Sequence, residues 1–210
     1  MKLAIVCDEQ LKNEFLCRET SDQVRPFFVD TPEQVPNDSD VIFDLLFEHT
    51  SARISQLKKF LPRPVIINAV EDTLSEIAEP FIRINSWPTF LQRKFTELVC
   101  LPLQEDIVKQ VFEQINWPYL LVPDKAGMVS VRIIAGIINE AYYVLGEKIS
   151  SRVEIDTAMK AGTHYPYGPF EWAALIGLKK IHNLLVKVDK ERPAMLVAPL
   201  LKQEAVSNAH

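Results

Sequence analysis

All six glycines of this 210-residue chain, Gly127, Gly136, Gly146, Gly162, Gly168 and Gly177, fall between Asp124 and Leu178. Glycine enters the left-handed backbone of a helix end freely, where other residues do so at a cost of roughly 1–2 kcal/mol. The clustering therefore predicts a compact helical unit whose helix boundaries these glycines mark. It also leaves the whole chain ahead of Gly127 without a glycine, which excludes any glycine-rich ligand loop there.

Within the glycine-bearing stretch, Val129, Ile133, Ile137, Ala141, Val144 and Leu145 recur at spacings of three and four. They predict one buried face on a helix from about Met128 to Lys148. Ser151-Arg-Val-Glu154 has the form of a capping box, in which serine and glutamate satisfy each other's backbone N–H. A short helix is expected to begin near Arg152 and stop at Gly162. Gly168-Pro169 opens a third helix, with proline where its missing N–H is harmless, and Gly177 closes it. A fourth starts at Leu178, with Ile181, Leu185 and Val188 on one stripe.

Upstream, short apolar runs alternate with helical segments. Strands are expected at Lys2 to Cys7, Pro26 to Asp30, Asp40 to Leu46, Pro64 to Asn68, Phe81 to Ile84 and Tyr119 to Val122. Helices are expected at Asp8 to Cys17, Ser51 to Phe60, Thr73 to Ala78 and Glu105 to Asn116. Continuous apolar strands between helices imply a doubly wound parallel sheet covered on both faces. The expected division is residues 1–122 for this sheet and 123–210 for the helices. With 48% hydrophobic residues and a net charge of −5, the chain has material for real cores and no basic run for nucleic acid. No apolar stretch nears the roughly 18 residues of a membrane span, and the start runs directly into a strand, so a cytoplasmic protein without membrane contact is expected. Cys7, Cys17 and Cys100 lack metal-ligand spacing and read as reduced, small buried hydrophobes. Trp87, Trp117 and Trp172 read as core anchors.

Asn139-Glu140-Ala141, Glu154-Ile-Asp156-Thr-Ala-Met159, Gly162 and Pro166-Tyr-Gly168-Pro169-Phe170-Glu171 with Ile176-Gly177 resemble the C-terminal domain of the 3-hydroxyacyl-CoA dehydrogenase family. The resemblance implies a reduced Rossmann-like sheet domain followed by an all-α domain of that family's type. It also implies NAD-dependent conversion of 3-hydroxyacyl-CoA to 3-oxoacyl-CoA, and pairing into a homodimer through the helical domain, around Ile133, Ile137 and Trp172.

The chain departs from the family at the positions that carry the chemistry. The family's first turn is Gly-x-Gly-x-x-Gly, which lets a pyrophosphate approach a helix N-terminus. Here it is Val6-Cys7-Asp8-Glu9-Gln10-Leu11, with Asp8 expected as an ordinary N-cap and two carboxylates opposing phosphate. Aligning Arg93-Lys94-Phe-Thr-Glu97-Leu-Val99 with the family's Met-Lys-Leu-Val-Glu-Val-Val puts Glu97 on the family's catalytic glutamate and Asn85 on its histidine base. None of the four histidines, His49, His164, His182 and His210, is near Asn85 in sequence. The family's Pro-Gly-Phe-x-x-Asn-Arg appears as Ala126-Gly127-Met-Val-Ser-Val131-Arg132. Asn68, Val131 and Arg132 thus stand at positions the resemblance assigns to substrate. Asp30 stands where the family's ribose-binding acid lies, and Glu48 is a second cofactor-side candidate past the third strand.

These departures make NAD an unexpected cofactor, to be bound only if the family activity survives. The expectation is a protein with oxidation lost or impaired, retained to bind an acyl-CoA or small carbonyl ligand, or to serve as a partner subunit. The alternative is an active oxidoreductase with a non-standard nucleotide site. Arg132 is expected to pair with Glu140 or Glu97, and Glu48-His49 to be a solvated strand end.

Overall fold

A computed structural model describes residues 1–191 and 196–207. The chain divides into two compact units, Met1–Met128 and Val129–His210. The first holds strands β1 (Lys2–Val6), β2 (Arg25–Val29), β3 (Val41–Asp44), β4 (Val65–Ile67), β5 (Ile82–Ile84), β6 (Thr96–Val99) and β7 (Tyr119–Leu121). They form one sheet in the order β2-β1-β3-β4-β5-β6-β7. Pairing is parallel from β2 through β5. β6 then runs antiparallel to β5, and β7 runs parallel to β6. The doubly wound expectation holds for a mostly parallel sheet. β6 is the strand the sequence reading did not foresee, because its four residues follow a polar segment and carry neither an apolar run nor a turn signal.

Alternation within β1 shows why its apolar run is continuous. Leu3 and Ile5 belong to the core on one face, with Phe15, Phe43, Phe112 and Trp117. Ala4 and Val6 belong to the core on the other, with Ile42, Leu57, Ile67 and Phe81. Helices α1 (Glu9–Leu16) and α4 (Glu105–Gln114) contribute to the first core, and α2 (Ser51–Lys58) and α3 (Leu74–Ile77) to the second. At the β2 edge, Arg25 N–H donates to Met1 and Cys7 N–H to the Val29 carbonyl. Alternation therefore turns Pro26 and Phe28 outward, and a proline with no N–H blunts that edge against strand addition.

The first unit extends to Met128, past the Val122 expected from sequence, for identifiable reasons. The Asp124 carboxylate accepts from Leu74 N–H and Ser75 N–H and pairs with Arg83, while Gly127 N–H donates to the Val70 carbonyl. Gly127, at φ 78°, is one of two glycines here in the left-handed region; the other is Gly177, at φ 96°.

The second unit contains α5 (Ser130–Gly146), α6 (Arg152–Thr163), α7 (Pro169–Ile176), α8 (Leu178–Glu191) and α9 (Pro199–Ser207). Ser151 and Glu154 form the expected capping box. Gly168 precedes Pro169 at the start of α7, and Ile181, Leu185 and Val188 are buried. Three expectations fail. Gly136 and Gly162 lie inside helices, and α6 runs on to Thr163, where His164 takes the left-handed cap at φ 57°. The buried face of α5 includes Val131, Ile134, Ala135, Ile138, Ala141 and Tyr142, so of the predicted stripe only Ala141 is buried, while Ile137, Val144 and Leu145 are half-buried and Val129 and Ile133 are exposed. Cys17 is likewise exposed, because α1 turns that position to solvent. The three tryptophans are buried, as expected.

Candidate functional site

Strand order reverses between β1 and β3, so the crevice an open α/β sheet offers to ligands lies at the carboxyl ends of these strands. At the end of β1, the Asp8 Oδ1 atom accepts from Leu11 N–H at 2.8 Å and caps α1, as the sequence predicts. Glu9 follows, paired with Lys12. The Cys7 thiol is pushed up to about 11, first by burial and then by Asp8, so it packs as a hydrophobe rather than reacting as a thiolate.

Beyond β2 and β3, a recess of about 340 Å³ is lined by Asp30, Leu46, Glu48, Thr50, Arg53 and Gln56. The two carboxylates named from sequence thus share one concavity. Its only cation is already engaged, since Arg53 forks onto the fully buried Asp44 through Nε at 2.7 Å and Nη2 at 2.6 Å. Burial raises the Asp44 carboxyl, and Arg53 opposes the rise. Acidic character extends through the unit: 20 of the 28 acidic side chains but only 13 of the 23 basic ones lie in residues 1–128. Glu48 and His49 are exposed, as expected of a strand end, and the His49 Nδ1 atom lies 3.5 Å from Asp72.

At the other end of this edge stand Asn68, Asn85, Ser86 and Glu97. The antiparallel register that pairs Arg83 with Val99 and Ile84 with Leu98 continues by one step to set Asn85 opposite Glu97. Residues directly opposite in such a pair project to the same face. Asn85 N–H accordingly donates to the Glu97 carbonyl at 3.1 Å, and Asn85 Nδ2 to Glu97 Oε2 at 3.2 Å. The twelve-residue spacing read from the sequence is a consequence of this register. Asn68 joins the group: its Nδ2 donates to the Leu45 carbonyl at 3.0 Å, and its Oδ1 accepts from Ser86 N–H at 3.3 Å. An amide opposite a carboxylate can orient a polar ligand but cannot take a proton near neutral pH.

The substrate-side candidates of the second unit do not join any such group within it. Val131 is fully buried in the α5 core. Arg132 pairs with Glu191 at 2.8 Å, which α8 brings alongside α5. The motif residues that carry the family likeness are structural. Asp156 Oδ1 accepts from Phe170 N–H at 2.8 Å, Glu171 accepts from Gly168 N–H, and Asn139 holds the Leu196 carbonyl and Ala198 N–H. His210 lies outside the described residues.

Sequence reading missed Ser86 and Glu14. Glu14 is 4% exposed on α1, and both carboxylate oxygens accept from Thr89 N–H, at 2.9 and 3.1 Å. It thereby fixes the loop after Asn85 in a turn where Thr89 has φ 78°, a conformation costly for a β-branched residue. The signal was available: Leu11, Glu14 and Phe15 share one helical face. Burial holds the Glu14 carboxyl above the ordinary glutamate value of 4.5, partly opposed by Thr89. Its contribution to stability is therefore full below 4.5 and is lost as pH rises through the raised folded-state value. Glu14→Gln keeps an oxygen for Thr89 without the charge. Relative to the parent, this variant is expected to be most stable at neutral pH, with the difference shrinking on acidification. Urea midpoints of both proteins over that range test this, and a difference constant with pH would refute it.

Residues 127–209 match the family model described as 3-hydroxyacyl-CoA dehydrogenase, C-terminal domain. The chain is 39% identical over 89 residues to the 3-hydroxyadipyl-CoA dehydrogenase of Escherichia coli, covering 41% of this chain and 19% of that protein. It is 38% identical over 73 residues to the 3-hydroxybutyryl-CoA dehydrogenase of Clostridioides difficile, covering 35% of this chain and 26% of the other. The chain thus aligns with well under half of either curated relative. In structure it is similar to (S)-3-hydroxybutyryl-CoA dehydrogenase from Ralstonia eutropha, with a TM-score of 0.75 over 98% of this chain and 93% of the other. At 17% identity that likeness speaks for the fold alone. Among the described residues, no helix is long and apolar enough to cross a membrane.

Proposed function

The chain belongs, through residues 127–209, to the 3-hydroxyacyl-CoA dehydrogenase family, and on that premise we propose a divergent member retained to bind a CoA ester or to serve as a partner subunit. In this reading its NAD-dependent oxidation of 3-hydroxyacyl groups is lost or strongly impaired. The observation that carries the proposal is the Asp8 carboxylate on Leu11 N–H, where a diphosphate would need to meet bare helix N–H groups. Glu9 adds a second negative charge, and there is no glycine to let a phosphate approach the backbone. This first turn does not fit the diphosphate of NAD. Asn85 supports the same reading, since loss of a positioned base typically lowers rate by about 10²–10⁴.

The test is to titrate the purified protein with NADH and then follow NADH oxidation with acetoacetyl-CoA. No saturable NADH binding and no turnover are expected; tight binding with turnover would establish the alternative, an active oxidoreductase with a non-standard nucleotide site. The double variant Asn85→His with Val131→Asn is expected to stay nearly inactive, because the Asp8 turn still repels the diphosphate. Appreciable activity in that variant would show that the turn admits the nucleotide.

The same reading includes a homodimer through the helical unit. Val129 and Ile133 form an outward apolar stripe on α5, with Ile133 55% exposed, whereas the buried Trp172 has no surface to contribute. Light scattering is expected to give twice the chain mass, reduced to the monomer by Ile133→Glu; a monomeric parent protein would rule the dimer out.

A further inference from the structure

Another recess, of about 360 Å³, opens at the amino ends of β4 and β5, the edge of the parallel sheet away from the crevice at the carboxyl ends of β1 and β3. Its volume falls within the roughly 300–1,000 Å³ of small-molecule sites. Pro62, Pro64 and Pro80 line it without offering a backbone N–H, and Ile82 and Ile107 add aliphatic surface. Leu103 stands at the rim, 98% exposed. That rim is held in place, because Gln104 Nε2 donates to the Pro80 carbonyl at 2.7 Å and Gln104 Oε1 accepts from Leu101 N–H at 2.9 Å. Among the described residues of the lining, Arg63 alone is charged. Its guanidinium is anchored by neutral groups: Nε donates to the Phe60 carbonyl at 3.1 Å, and Nη1 to the carbonyls of Asn37 and Ser39 at 2.9 and 3.0 Å. No hydrogen bond or ion pair among the described residues engages Nη2. The two carboxylates of the segment that Arg63 holds are spent elsewhere, Asp38 on the Lys2 ammonium and Asp40 on the Lys2 N–H at 2.7 Å. Neutral carbonyls position a cation without balancing its charge.

We propose that this recess binds a straight-chain aliphatic monocarboxylate, with the carboxylate on Arg63 Nη2 and the chain packed along the prolines and Leu103. A single guanidinium matches one negative charge, whereas a dianionic phosphate head would need a second cation that the lining does not hold. The remaining polar side chain, Gln104, spends both ends of its amide on the main chain, so the chain of the ligand meets apolar surface and has no call for hydroxyl groups. Covering Leu103 removes from water the most exposed large hydrophobic side chain described in the protein. The site stands independently of the proposed function, since none of its residues belongs to the Asp8 turn or to the Asn85 and Glu97 pair.

Calorimetric titration of the full chain with sodium octanoate, octan-1-ol and octyltrimethylammonium tests it. Octanoate is expected to saturate one site about tenfold more tightly than octan-1-ol, the effect of one charge-assisted hydrogen bond, and the cation is expected not to bind. From hexanoate to octanoate the affinity should rise by up to about fourfold per methylene. Arg63→Gln is expected to bring octanoate down to the level of octan-1-ol. Should that variant fail to fold, because Arg63 also ties Phe60 to Asn37 and Ser39, Leu103→Asp serves instead. At a side chain so exposed it is expected to leave the urea midpoint unchanged and to weaken octanoate about tenfold or more, by removing apolar surface and adding a like charge. No saturable octanoate binding, equal binding of octanoate and octan-1-ol by the parent, or parent-like octanoate affinity in the folded variants would overturn the proposal. Tighter binding of N-acetyl-leucyl-leucine than of octanoate would overturn the choice of ligand, in favour of a peptide C-terminus.

Discussion

Replacing Arg83 with methionine is expected to lower unfolding free energy by about 3–5 kcal/mol, the range for removing one partner of a buried ion pair. The side chain has no exposed surface, and it is where three segments of the sheet unit meet. Its Nε donates to the Ala69 carbonyl at 2.7 Å, Nη1 donates to Asp124, and Nη2 donates to the carbonyls of Val70 at 3.3 Å and Lys125 at 3.2 Å. Burial pulls the guanidinium below its ordinary value while Asp124 pushes back, which identifies the ion pair as what offsets the desolvation. Methionine fills a similar volume but leaves three carbonyls without this donor and Asp124 without its cation. Because Asp124 also caps α3 through Leu74 and Ser75, the loss should spread to that helix. Arg83→Lys keeps the charge without the planar fork and is expected to fall between parent and methionine variant. Urea unfolding of the three proteins measures the series; a loss under about 1 kcal/mol for methionine would mean that the network contributes little.

Gly168→Ala is expected to destabilise the helical unit by about 2–4 kcal/mol, combining overpacking with partial loss of a helix cap. The backbone is not the reason. Gly168 has φ −78° and ψ 167°, which alanine adopts without strain. The obstacle is Asp156, whose Oδ1 would lie 2.3 Å and whose Cβ and Cγ would lie 2.4 Å from the added methyl carbon. Asp156 cannot swing away cheaply, because the same Oδ1 accepts from Phe170 N–H at the start of α7. Removing the obstructing side chain should therefore make the alanine tolerable. In a double-mutant cycle, Asp156→Gly, which removes the Cβ as well as the carboxylate, with Gly168→Ala is expected to cost little more than Asp156→Gly alone. Additive losses would show that the methyl group clashes with something other than Asp156.

Much of the site was legible because it depends on local or regular geometry. Asp8 caps α1 through a residue three positions on, and the spacing of Asn85 and Glu97 follows from a two-stranded antiparallel register. Glu14 was obscured by its type, since a carboxylate on an apolar helical face reads as a solvated residue until the loop that donates to it is known. Ser86 was obscured for the opposite reason: its sequence context is unremarkable, and only its burial gives its hydroxyl significance.

The sequence by itself determined the alternation of strands and helices, the capping at Ser151 and Gly168, and the absence of a glycine-rich first turn. Each is written in residues a few positions apart, where backbone sterics and short hydrogen bonds act. Tertiary structure alone decided the reversed direction of β6, the ties of Arg83, and which side of α5 is buried. On α5, Val129, Ile133 and Ile137 satisfy the helical period as well as Val131, Ile134 and Ile138 do. A helix apolar on both sides carries no internal preference between them, so the choice fell to whichever stripe its neighbouring helices could pack against.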